Sequence, residues 1–152
     1  MGSAYFYHLT RSPLEVMLPS LLARSLHAGW RVVVRGVSDA RMGWLDEKLW
    51  QGPDDGFLPH GLAGGRFDAD QPVLLTTAEN FPNGAACLMS IDGANVAAGE
   101  CRAVERVCVI FDGNEQASLD RARAQWQDLT GAGVSAQYWS EAAGRWQKKA
   151  EK

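Results

Sequence analysis

Three histidines, three cysteines and two aspartates that end apolar runs are the residues of this chain whose types could do chemistry, and their spacing argues against each chemistry in turn. His8, His27 and His60 share no short interval of the kind that builds a zinc site or a histidine-based catalytic cluster. Cys87, Cys101 and Cys108 form neither a CxxC pair nor an even set, so they read as small apolar core side chains in a reducing cytoplasm. Asp92 after Leu88-Met-Ser-Ile91 and Asp112 after Val107-Cys-Val-Ile-Phe111 are placed like the magnesium-holding aspartates of ATPases. A phosphate loop would have to accompany them, and Gly36 and Gly61-Leu-Ala-Gly64-Gly65 match neither GxGxxG nor GxxxxGK followed by Ser or Thr. Both aspartates therefore read as turn residues before Gly93 and Gly113. Ser12, Ser25 and Ser90 lie in no GxSxG elbow. The expectation is a chain with no catalytic residue, no metal and no cofactor, whose chemistry is recognition.

Two clusters carry that expectation. In the first, Arg123 stands three residues before Trp126, beside the helical stripe Leu119, Ala122, Trp126 and Leu129, which sets a fixed positive charge next to a flat apolar wall. Such a pair can hold the carboxylate of an extended acidic peptide while the apolar slot takes its terminal side chain. The alternative is a fully buried Trp126 with a merely solvated Arg123, and sequence does not separate the two. The second cluster is Trp50, Phe57, Pro59 and His60, where a helix ends on tryptophan and runs into an apolar loop. That loop either docks a partner or folds back over its own core.

The elements that must position these clusters alternate. Extended runs are expected at 4–9, 30–35, 72–77, 86–91, 106–111 and 134–139. Helices are expected at 14–28, with Pro19 marking a kink or a late start near Ser20, at 38–50 with Ser38 as cap, at 96–104, and at about 114–130. The charged tail ending Lys148-Lys-Ala-Glu-Lys152 reads as a frayed helix. The near-continuous apolar runs at 32–34, 73–75 and 107–111 suit a sheet buried on both faces. The chain is therefore expected to form a doubly wound, Rossmann-like α/β fold with a mainly parallel sheet and helices on both faces. At 152 residues and 46% hydrophobic it should form a single domain spanning 1–152. A net charge of −3 argues against direct, strong nucleic-acid binding, including a reading in which Trp30, Trp139, Trp146 and the terminal lysines grip a single strand. No apolar run is long enough to span a membrane, and the start resembles no signal peptide and no myristoylation motif.

The stretch Leu45-Asp-Glu-Lys-Leu-Trp50, the Phe57-Leu-Pro59-His60 loop and the continuation Gly61-Leu62-Ala63-Gly64 resemble the signature of the chi subunit of bacterial DNA polymerase III. The resemblance extends from the Phe6-Tyr7 strand to the Ala132-Gly133-Val134 turn. It implies a non-enzymatic adaptor in DNA replication, linking the clamp loader to single-stranded DNA-binding protein. Trp50, Phe57, Pro59 and His60 would dock the psi subunit or a helicase-like protein. Arg123 and Trp126 would bind the acidic C-terminal tail of single-stranded DNA-binding protein, which ends in Pro-Phe. One departure stands out: the family's lysine one turn before the arginine falls at Leu119 or Asp120, and Arg121 points about 160° away from Arg123 on a helix. The rival from a different class is a nucleotide-binding or hydrolytic α/β domain, which the fold alone suggests.

Overall fold

Val32, Val33 and Val34 have no solvent exposure at all, because the strand they form is covered on both sides. The computed structural model describes residues 2–51, 58–141 and 146–152. Along the chain run β1 (Ser3–Leu9), α1 (Leu14–His27), β2 (Val32–Arg35), α2 (Asp39–Trp50), β3 (Gly61–Leu62), β4 (Val73–Thr76) and β5 (Cys87–Ser90). They are followed by α3 (Ala98–Ala103), β6 (Arg106–Asp112), α4 (Gln116–Gly131), β7 (Ser135–Ser140) and β8 (Gln147–Glu151). The strands form one sheet in the order β3-β4-β2-β5-β6-β1-β7-β8. Every pairing is parallel except β7 with β8.

Two apolar layers sandwich this sheet. Leu18, Leu21 and Leu22 of α1 and Met42, Leu45 and Leu49 of α2 cover one face. Cys101 of α3 and Ala122 and Leu129 of α4 cover the other, over Phe6, Val107, Val109 and Phe111. The doubly wound, mainly parallel α/β fold expected from the continuous apolar runs is the fold observed. Ser38 caps α2 as expected, its hydroxyl accepting from the Arg41 N–H at 3.3 Å, with Asp39 in the first turn.

Two local expectations need revising, and one strand was missed. Helix α1 starts at Leu14 and carries Pro19 inside it, so the late start at Ser20 does not occur. Burial of Met17, Leu18, Leu21 and Leu22 holds the helix across the missing donor. The charged tail is strand β8 rather than a frayed helix. Lys, Ala and Glu favour helix, but the open edge of β7 offers backbone partners: Ala136 and Lys152 exchange hydrogen bonds of 3.1 and 2.8 Å. Edge pairing wins. Strand β3 was not anticipated, because two residues carry no periodic signal.

One polar group lies deep in this frame. The Arg35 guanidinium ends β2 in full burial and grips Glu100 at 2.9 and 2.7 Å. It also donates to the carbonyls of Ala78 and Asn95, both at 3.1 Å. Glu100 in turn accepts from the Ala97 N–H that opens α3, so the ion pair ties that short helix to the sheet.

Candidate functional site

Helix α4 lies across β6 and β7 with its apolar stripe only partly sunk. Ala122 and Leu129 are buried, whereas Leu119 and Trp126 are half-buried along one margin. Trp126 meets the Phe6 ring edge-on at 5.3 Å and the Tyr138 ring at 6.2 Å. The Tyr138 hydroxyl lies 2.6 Å from Nδ1 of His8, and that imidazole stacks on Phe111 at 5.2 Å. Linked rings of this kind make a rigid floor, since each fixes the rotamer of the next. Above the floor is a groove of about 390 Å³, open along α4 and bounded on its far side by β8.

Its electrostatics are set by the rim. Arg123 is well exposed and makes only a loose 3.9 Å pair with Asp120, so its guanidinium remains accessible to an incoming carboxylate. Lys149 of β8 lines the groove from the opposite wall. Burial pushes the Tyr138 hydroxyl above its ordinary pKa, and the positive charge of Arg123 opposes that rise. The structure thus brings Arg123 and Trp126 to one groove, and Trp126 is neither sealed in the core nor free of it.

The second cluster occupies another part of the surface. Trp50 ends α2 and is 55% exposed, with Leu62 and Phe67 also presented to solvent. His60 is beneath it, its side chain wholly buried and its ring centroid 4.3 Å from that of Trp50. The ring nitrogens are bracketed by the Leu58 carbonyl at 2.7 Å and by Asp46, whose carbonyl and carboxylate lie at 3.3 and 3.2 Å. His60 therefore supports Trp50 from below, with both ring nitrogens facing groups of the chain itself. Pro59 is half-buried beside it, and Phe57 lies outside the described residues.

A larger crevice, of about 630 Å³, opens at the carboxyl ends of β1 and β6, where doubly wound folds usually bind their ligands. Three residues that line it, Thr10, Arg11 and Ser12, already hold an anion of the chain itself. The Glu141 carboxylate accepts from the backbone N–H groups of Thr10, Arg11 and Ser12 at 3.0, 2.9 and 2.8 Å, and from the Ser12 hydroxyl at 3.0 Å. Burial works to raise the pKa of that carboxyl, but the hydrogen bonds from Ser12, Arg11 and Thr10 outweigh it and hold it below the ordinary carboxylate value. Asp92, in a turn, and Asp112, the last residue of β6, line the same crevice: Asp92 pairs with Arg41 at 3.1 Å, and Asp112 accepts from the Asn114 N–H at 2.9 Å.

Glu141 was not picked out from sequence, and Lys149 only as one of the terminal lysines of the single-strand reading. A nest of backbone N–H groups has no residue signature, and β8 depends on an edge far away in the chain. Among the described residues no group of three or more His, Cys, Asp or Glu could hold a metal ion. The tryptophans considered for strand binding are engaged within the fold, Trp30 against the Arg106 guanidinium at 5.1 Å and Trp146 against Tyr7 at 5.5 Å. Among the described residues no helix is long and apolar enough to cross a membrane.

The sequence pattern of the family described as DNA polymerase III chi subunit, HolC, matches residues 1–137. No match was found among the curated proteins. The match runs from the N-terminus into β7 and takes in both helical layers, the Trp50 face and the whole of α4, leaving only the end of β7 and β8 beyond it. The chain belongs to the DNA polymerase III chi subunit family, and so to the machinery of DNA replication.

Proposed function

We propose that this protein is a non-enzymatic adaptor of the replicative polymerase, acting as a single domain with two separate docking faces. The groove along α4 takes the acidic C-terminal tail of single-stranded DNA-binding protein. The face around Trp50, with Pro59 and Phe57 in the adjoining loop, docks psi or a helicase-like protein and so joins the chain to the clamp loader. The observation that carries this reading is the groove itself: an exposed guanidinium at its rim and a fixed aromatic floor, the two features a peptide ending in a hydrophobic residue and a carboxylate requires. The nucleotide-binding alternative finds no open anion nest in the β1–α1 loop, where Glu141 already takes the backbone N–H groups of Thr10, Arg11 and Ser12.

Fluorescence anisotropy with a labelled acidic peptide ending in Pro-Phe tests the reading. Saturable binding is expected, and it should be lost when the terminal Phe is replaced by Ala. A peptide that fails to bind, or binds equally well without its Phe, overturns it.

A further inference from the structure

The two terminal lysines of β8 are adjacent in sequence yet differ in what they meet. Tyr138 pairs with Ala150 and Trp139 with Lys148, which leaves Lys149 as the extra residue of a β-bulge. In a regular strand Lys149 and Ala150 would project from opposite faces. A bulge inserts one residue without a partner and re-aims its side chain, and here Lys149 and Ala150 both line the α4 groove. Lys148 is turned elsewhere, in a 3.5 Å pair with Glu151 that a regular strand would not allow three residues apart. Among the described residues Lys149 has no ion-pair partner.

Charge then decides what the groove takes. The chain carries a net charge of −3, so an acidic ligand is not drawn to it as a whole, and local cations must do the steering. Arg123 alone is weakened by Asp120 at 3.9 Å. We infer that Lys149, aimed by the bulge, is a second recognition cation, so that the groove selects peptides carrying acidic residues upstream of the terminal carboxylate as well as the carboxylate itself. This deepens the tail-binding reading above and rests on it. Lys149 lies in β8, beyond the residues 1–137 that the family pattern matches.

The test compares Lys149→Glu with the charge-matched Lys148→Glu in the full chain, using a labelled peptide with several acidic residues before Pro-Phe. Lys149→Glu should weaken binding by roughly tenfold, the loss that one charge-assisted contact carries, and Lys148→Glu by less than about twofold. A peptide with its upstream acids replaced by Ser should bind the Lys149→Glu variant and the unaltered chain alike. Should Lys149→Glu disturb the fold by circular dichroism, the milder Lys149→Gln decides, with a loss of several-fold expected. Equal losses for the two lysines, or none for Lys149 while Arg123→Ala still weakens binding, overturn the inference and leave the tail-binding reading standing. If the unaltered chain does not bind the peptide, both fall. If a poly-thymidine oligomer shows the Lys149 dependence and the peptide does not, the occupant is nucleic acid and the inference is wrong.

Discussion

The carboxylate of Glu141 accepts from Ser12 twice, from its backbone N–H at 2.8 Å and from its hydroxyl at 3.0 Å. These residues are far apart in the chain, so the pair closes the β1–α1 loop onto the end of β7. Glu141→Gln, which removes the charge and keeps the shape, should cost about 1 to 3 kcal/mol of stability at neutral pH. The folded-state pKa is depressed, so this contribution is complete above the ordinary carboxylate value and disappears as pH falls through the lowered one. Urea midpoints of the two proteins should therefore differ at pH 7 and converge in acid; a constant difference would show that the charge is not what matters.

The Arg35–Glu100 pair makes a different demand. Arg35 is fully buried, so removing its partner leaves an uncompensated charge. Glu100→Ala should cost roughly 3 to 5 kcal/mol, and the double variant Arg35→Met, Glu100→Ala should recover part of it. Thermal denaturation of the single and double variants checks this, and a double variant no more stable than the single would refute the account.

Trp50 and His60 should separate by variant. Trp50→Ala removes an exposed ring, so stability should change by no more than about 1 kcal/mol while binding of a clamp-loader-side partner falls by about 2 kcal/mol. His60→Ala should lower both, because the imidazole is buried and spans Leu58 and Asp46. Paired unfolding and binding measurements would expose the opposite pattern, a destabilising Trp50→Ala, as a sign that the ring belongs to the core.

Arg123→Ala should weaken acidic-tail binding by about 1 to 3 kcal/mol with the fold unchanged, since the side chain is exposed and pairs only loosely. Salt should mimic the substitution, because the Debye length shrinks to about 3 Å at 1 M. A titration series in rising salt should show the gap between the two proteins narrowing. Salt-independent binding would place the tail elsewhere.

The sheet and its two helical layers were legible because burial on both faces leaves a mark that residue types alone carry, as at Val32-Val33-Val34. Arg123 and Trp126 were legible for a related reason: helical spacing puts them side by side whatever else the chain does. The burial of His60 was not, since a histidine in an apolar loop looks the same whether it lies at the surface or props a tryptophan from below. Lys149 and Glu141 were hidden more deeply. One is aimed by a single inserted residue in an edge strand, the other held by backbone groups that any sequence possesses.

Strand β1 is synthesised well before either of its neighbours in the sheet, yet it sits between them, with Ser3–Leu9 paired to Arg106–Asp112 on one side and Ser3–His8 to Ser135–Ser140 on the other. At ordinary translation speeds the N-terminal strand waits on the order of ten seconds for its partners to leave the ribosome. Until then Tyr5, Phe6 and Tyr7 have no sheet to enter, and the nascent chain carries an aromatic strand open on both edges. Completion of the sheet is therefore gated by β6 and β7, and any release before β7 emerges yields a sticky fragment rather than a smaller version of the fold.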